Sequence, residues 1–152
     1  MSSLRLETVG AAAPVQDALV RDWQHVHNLI IPPHFLSLDD VRERSTRNHL
    51  EVAYLGDTLV GCSTVRPPTS ESPAATVIAR VLPAYRERGF GTQMYERGLA
   101  RARELGAESI ETNVLGSNPE GLRFAKRRGF VEIETYVLPG DTIPYIDLRL
   151  ES

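Results

Sequence analysis

The sequence predicts a mixed α/β fold, one central sheet flanked by helices, in a single domain spanning residues 1–152. Three observations carry this prediction. Segments whose apolar residues alternate with polar ones are interleaved with segments whose apolar residues recur every three or four positions. Gly56-Asp57 sits between two strand-like runs, where a hairpin turn belongs. Proline and glycine punctuate the remaining segments where helices start and stop.

The elements follow in order. Leu4, Leu6 and Thr8 alternate with polar residues as a short strand. Val15, Ala18, Leu19, Trp23 and Val26 recur at helical spacing, Pro14 suits the first turn, and Pro32 and Pro33 end that helix. Ser37 with Asp40 reads as a capping box opening a second helix that runs to about Arg47. Glu51 to Leu55 and Leu59 to Val65 form the hairpin arms. Three prolines and several hydroxyl residues make Arg66 to Pro73 a loop, and Thr76 to Leu82 is strand-like. A helix runs from about Gly89 to Leu105, closed by Gly106. Ser109 to Val114 is a strand. Asn118-Pro119 opens a helix that Gly129 closes, and Phe130 to Leu138 and Tyr145 to Leu150 finish as strands around Pro139-Gly140.

Composition narrows the class. With 41% hydrophobic and 24% charged residues the chain is a globular mix rather than a disordered one. A formal net charge of -3 gives no bulk attraction to nucleic acid or acidic membranes, so neither is an expected partner. The one cysteine, Cys62, lies in an apolar run that suits a buried thiol better than a nucleophile. No signal-peptide pattern and no membrane-length apolar run is present, which makes the cytoplasm the expected address.

The chemistry concentrates between residues 77 and 92. Val77 to Leu82 is a strand, Pro83 to Arg88 a tight loop, and Gly89-Phe90-Gly91-Thr92 a helix start. A helix N-terminus presents unpaired N–H groups and partial positive charge, which favour a phosphate. Gly89 and Gly91 allow unusual backbone angles and a close approach of pyrophosphate, and Arg86 and Arg88 add charged donors. Gly91, Met94, Tyr95, Gly98, Leu99 and Ala102 form the buried face of the helix that follows. A Walker loop would need a lysine after the last glycine, and Thr92-Gln93 lacks it. A dinucleotide fingerprint would need a small residue where Met94 stands, although Glu111 lies near the spacing of a ribose-binding acid.

The run Val81 to Gly91 resembles the central Arg/Gln-x-x-Gly-x-Gly/Ala motif of the GNAT superfamily of N-acetyltransferases. Asn118-Pro119-Glu120-Gly121-Leu122-Arg123-Phe124, ending in Arg128-Gly129-Phe130, resembles that superfamily's Asn…Phe…Gly-Phe helix. The resemblance covers essentially the whole chain. It implies a central, mostly antiparallel mixed sheet in the order strand, two helices, three strands, helix, strand, helix, two strands. It also implies acetyl-CoA as co-substrate, with a small-molecule or peptide amine as acceptor and room for a homodimer. Backbone groups of Ala79, Arg80 and Val81 would pair with pantetheine. Arg86, Glu87, Arg88, Gly89, Phe90, Gly91 and Thr92 would hold the pyrophosphate, and Asn118 would cap its helix nearby. The thioester would meet the amine where the strands Thr76–Leu82 and Ser109–Val114 part.

Two positions depart from the family pattern. The tyrosine that many relatives carry seven residues after the asparagine is Ala125 here, and the glutamate five residues before it is Asn113. Glu111, on the same strand face as Asn113, and Tyr136 are the candidate replacements. Those losses also keep open a silent domain that only binds coenzyme A, and the glycine loop leaves an oxidoreductase as a further reading. His25 and His27 point to different helix faces, and with His34 they read as surface residues rather than a metal set; no metal is expected. Lys126, Arg127 and Arg128 complement a helix C-terminus.

Overall fold

The computed structural model describes residues 4–10 and 16–150, so Pro14 and Val15 of the first expected helical turn lie outside the described residues. The elements are β1 (Arg5–Thr8), α1 (Gln16–Ile30), α2 (Leu38–Arg47), β2 (His49–Leu55), β3 (Thr58–Arg66), β4 (Ala74–Val81), α3 (Phe90–Glu104), β5 (Ser109–Leu115), α4 (Pro119–Arg127), β6 (Phe130–Tyr136) and β7 (Tyr145–Leu150). Their order matches the expected one. The seven strands form one sheet, β1-β2-β3-β4-β5-β7-β6. Every neighbouring pair is antiparallel except β4 with β5.

That parallel pair has only three rungs, Ala74 to Thr76 against Ser109 to Glu111. Yet β4 runs on to Val81 and β5 to Leu115. Beyond Thr76 and Glu111 the two strands part, and β5 continues its ladder with β7 instead. A wedge therefore opens in the middle of the sheet.

Strand alternation divides what faces each side. On one side Val65, Ala75, Val77, Ile110, Val114 and Leu148 pack under Tyr95, Leu99 and Ala102 of α3 and Ala125 of α4. On the other, Leu50, Val52 and Cys62 pack against Val20, Trp23 and Val26 of α1 and Val41 of α2. Each such buried side chain contributes ~1.5–3 kcal/mol relative to exposure. Trp23 is held in register by its indole N–H, which donates to the Ser63 carbonyl at 3.2 Å. Ser37 and Asp40 form the expected reciprocal capping box at α2. His27 departs from expectation. It is 5% exposed and stacks on Trp23, because four residues along a helix return to the same face. His25, two residues earlier, is exposed.

A charged clamp fixes α3 to the sheet. Glu51 is 3% exposed and accepts two hydrogen bonds from Arg97, at 2.7 and 2.9 Å, with His49 Nε2 at 3.2 Å. Burial opposes its charge, but the bonds from His49 and Arg97 outweigh that and hold the carboxyl at about 2, below its ordinary 4.5. The folded value lies below the unfolded one. The clamp's contribution is therefore complete above about pH 4.5 and is lost as pH falls through about 2. Arg97→Met should cost about 1.5–3 kcal/mol at pH 7, the usual cost of losing hydrogen bonds to a charged group. The Glu51 carboxyl, left with His49 alone, then titrates upward, so the gap to wild type should narrow as pH is lowered. Urea unfolding at neutral and acidic pH checks this; a gap independent of pH would exclude the clamp.

Candidate active site

The loop before α3 is built around a change of backbone hand. Gly89 is the N-cap of α3 with φ 83, and Glu87 two residues earlier has φ 65. Only glycine adopts this region without cost, and Gly89 has nothing within 4 Å of where a Cβ would stand. Its left-handed turn presents the first amides of α3 outward beside the exposed residues Glu87 and Arg88. Gly91 differs from expectation. It lies inside the regular helix, and a Cβ there would point at Phe124, at 3.4 Å, and at Val81. Gly91 therefore supplies no unusual angle, and a Cβ there would make only ordinary contact with Phe124 and Val81.

Local partners occupy part of the arginine chemistry. Arg86 Nε donates to the Val81 carbonyl at 2.9 Å, pinning the loop to the end of β4, and its Nη1 lies 3.3 Å from Glu120. Arg88 lies over the Tyr85 ring, 5.8 Å from its centroid. Arg128 does more than face a helix end. Its guanidinium stacks over Phe124 at 4.6 Å and donates to the Thr92 hydroxyl, so it stands beside the first turn of α3. Asn118 caps α4 by accepting from the Gly121 N–H at 3.1 Å.

Across the wedge the sheet presents a polar face toward the α1–α2 side. Register places Arg66, Thr76, Ile78, Arg80, Glu111 and Asn113 on that face, with Tyr145, Asp147 and Arg149 of β7 opposite Leu115, Asn113 and Glu111. Glu111 sits at the last closed rung, and Arg149 donates two hydrogen bonds to one of its oxygens, at 2.6 and 3.2 Å. Asp147 lies directly across from Asn113 and accepts from the Tyr136 hydroxyl at 3.1 Å. Burial raises the Asp147 pKa, the Tyr136 bond pulls it back, and the charges of Glu134 and Glu111 raise it further. Tyr136 is pushed up to about 12, by burial first and then by Asp147. Tyr136 also stacks on Tyr145, with centroids 6.0 Å apart.

Two loops close over this face. His34, between α1 and α2, bonds through Nε2 to Asp141, between β6 and β7, at 2.6 Å, and meets Tyr145 edge-on. Cys62 lies beneath, fully buried, its thiol pushed up to about 12 by burial while Arg80 pulls the other way, so it is no nucleophile. Ala125 is 4% exposed inside the core on the opposite side of the sheet, so a tyrosine there would be overpacked. Among the described residues no three His, Cys, Asp or Glu gather as metal ligands, and no helix is long and apolar enough to cross a membrane. The sequence reading missed Asp147 and Tyr145. Their signal was the period-2 stripe Tyr145, Asp147, Arg149, set against the apolar Ile146, Leu148 and Leu150.

A central parallel pair that splays beside a glycine-capped helix, in a sheet otherwise antiparallel, is the architecture of an acyltransferase. The sequence pattern of the acetyltransferase (GNAT) family matches residues 13–130, and the chain belongs to that family. No curated protein matches it by sequence. Solved structures share the fold. A Bacillus subtilis acetyltransferase in complex with CoA is 22% identical with a TM-score of 0.67, each chain covered over 99%. A GNAT acetyltransferase from Elizabethkingia anophelis with acetyl-CoA bound is 16% identical with a TM-score of 0.68, each covered over 98%. The ribosomal-protein-alanine N-acetyltransferase of Brucella melitensis is 18% identical with a TM-score of 0.71, covering 95% of this chain and 98% of its own.

Proposed function

We propose that this chain moves the acetyl group of acetyl-CoA to an amine by direct attack on the thioester, with Asp147 and Tyr136 handling the protons. The observation that carries this reading is the wedge. It opens beyond Thr76 and Glu111, and its β5 edge holds Asn113 with Asp147 directly opposite. A carboxylate thereby returns to the place where the family's glutamate is missing. CoA-bound members of the fold support the co-substrate.

The roles follow from geometry. Backbone groups of Ala79, Arg80 and Val81, on the edge of β4 that faces away from β3 and has no β5 partner, bind the pantetheine arm as an added strand would. The Val81 carbonyl already serves Arg86, which leaves the remaining groups for this pairing. The amides of Gly89 to Thr92 receive the pyrophosphate, flanked by Arg86, Glu87, Arg88 and Phe90, while Asn118 sets the start of α4 beside it. The acceptor arrives as an ammonium and must lose one proton before its nitrogen attacks. Asp147, whose pKa burial raises above the ordinary aspartate value, takes that proton. The N–C bond forms, the C–S bond breaks as the nitrogen sheds its second proton to water, and the thiolate takes a proton from the Tyr136 hydroxyl or water. Tyr136 regains one from the acid form of Asp147, to which it is bonded. Glu111 is held by Arg149 at the closed rung, so it acts on Asp147 by charge rather than as the base. Holding amine and thioester together supplies much of the remaining rate. The same reading makes the chain a cytoplasmic enzyme, free to act as a homodimer.

The loop can be tested separately from the chemistry. An alanine at Gly89 must adopt the left-handed region, a cost of roughly 1–2 kcal/mol. If the loop relaxes to avoid it, acetyl-CoA binding should weaken about 5- to 30-fold. Gly91→Ala adds only ordinary contact with Phe124 and should change affinity less. Calorimetric titration of both variants decides, and the reverse ranking would move the phosphate away from Gly89.

A further inference from the structure

Three arginines on the α1–α2 side of the wedge form no ion pair among the described residues. Arg80 on β4 and Arg66 on β3 share the polar sheet face, and the charge of Arg44 of α2 bears on Arg80. Among the described residues none of the three has a side-chain hydrogen bond either. Glu111 and Asp141 are paired with Arg149 and His34, Asp147 is bonded to the Tyr136 hydroxyl and feels the charge of Arg66, and Glu43 and Asp40 bear on Arg44 from its own helix. Arg80 is the most shielded. Burial disfavours its charge, and Arg44 and Arg66 repel it further. Arg80 and Arg44 are half-buried and Arg66 is exposed, so their like charges stand within reach of solvent and favour an arriving anion. The coenzyme's phosphates cannot, because on the reading above they sit at the α3 loop, across the sheet from this face.

We propose that the acceptor is a small amine carrying an oxyanion, a carboxylate or phosphonate, which Arg80 binds with Arg44 and Arg66 while the amine meets the thioester beside Asp147. The inference rests on the acetyltransferase reading and adds the acceptor's class. Arg66 bears electrostatically on both Arg80 and Asp147, and Tyr145 on Arg80 and Arg44, so anion and amine subsites are adjacent. A guanidinium fork matches an oxyanion in two-point geometry. The His34–Asp141 bond ties the α1–α2 loop to the β6–β7 loop over the same face, which suits a small acceptor better than a polypeptide running through. His27, packed nearby, is held neutral at about 4, chiefly by burial and then by Arg80, so it adds no competing positive charge.

The test is thiol release from acetyl-CoA with the proteinogenic L-amino acids, their C-terminal amides and 2-aminoethylphosphonate, using wild type, Arg80→Met and Arg80→Lys. Melting curves with acetyl-CoA run in parallel. At least one acid or the phosphonate should turn over, and the amide of a preferred acid should have a kcat/KM lower by roughly 30-fold or more, the usual cost of unpairing a buried charge. Arg80→Met should collapse the acid-to-amide ratio of kcat/KM toward one, a ratio from which any loss common to both substrates through the nearby pantetheine strand is divided out. Arg80→Lys should recover part of the preference. A carboxylate preference without phosphonate turnover, or the reverse, identifies which oxyanion the site takes. Equal rates for acids and amides, equal losses for both in Arg80→Met, or no turnover of any acid or phosphonate despite a wild-type melting shift would overturn the proposal. A wild type that shows no melting shift overturns the acetyltransferase reading itself. If Arg80→Met does not fold, Arg66→Gln and Arg44→Gln read the same acid-to-amide ratio.

Discussion

Asp147→Asn is expected to slow acetyl transfer roughly 10²–10⁴-fold, the range general acid–base catalysis supplies, while leaving acetyl-CoA affinity unchanged. The carboxylate lies opposite Asn113 on the open edge of β5 and has no role in the phosphate loop. Its raised pKa fixes the sign of the pH dependence. The base works when ionised, so wild-type turnover should fall on the acid side, at a pH above that of an ordinary aspartate. The asparagine variant should lose that limb. Tyr136→Phe removes the hydrogen bond that lowers the Asp147 pKa, so its limb should move to higher pH. Glu111→Gln removes a negative charge that raises the same pKa, so its limb should move to lower pH, with a much smaller loss of rate. pH–rate profiles of the four proteins with one acceptor decide. A larger loss in Glu111→Gln than in Asp147→Asn would make Glu111 the base.

Gly61→Ala should have the largest effect on folding. A Cβ at Gly61 would lie 2.3 Å from the Arg80 carbonyl oxygen, a backbone atom that cannot turn aside. Room can come only from separating β3 from β4 where Gly61 pairs with Val81. Overpacking of this kind costs typically about 1–3 kcal/mol, sometimes more, and the upper end is expected because the strands must part. The damage falls on Arg80 and Val81, so acetyl-CoA affinity should drop with stability. Gly91→Ala, whose Cβ meets Phe124 at ordinary contact distance, is the control. Denaturant unfolding with coenzyme titration checks both; unaltered stability in Gly61→Ala would contradict the close strand approach.

The fold was legible because its elements carry strong periodic signals and clear punctuation. The α2 capping box, the Gly56-Asp57 hairpin and the α3 apolar face appear where the residues place them. Edges were less legible. β2 begins at His49 rather than Glu51, because Leu50 pairs with Thr64 inside the sheet, and β6 stops at Tyr136 because its ladder with β7 ends there. The loop before α3 was legible in part: Gly89 has the expected left-handed backbone, whereas Gly91 is an ordinary helical residue beside Phe124. The chemistry across the wedge was not, because it depends on register. Only the pairing of β5 with β7 brings Asp147 to Asn113, and residues 34 positions apart in the chain show no local pattern. His27 was misread for a different reason. A histidine at helical spacing from Trp23 is buried by the face it shares, whatever its polarity.

The most direct measurement of the central claim is the melting temperature of the wild-type chain with and without acetyl-CoA, against NAD at equal concentration. At a hundred times its Kd a ligand stabilises the native state by about 2.7 kcal/mol. For a chain of this length that corresponds to a rise of roughly 5–11 °C. Acetyl-CoA should produce such a rise and NAD none. No rise with acetyl-CoA, or an equal rise with NAD, would contradict the assignment of the α3 loop and the wedge to acetyl-coenzyme A.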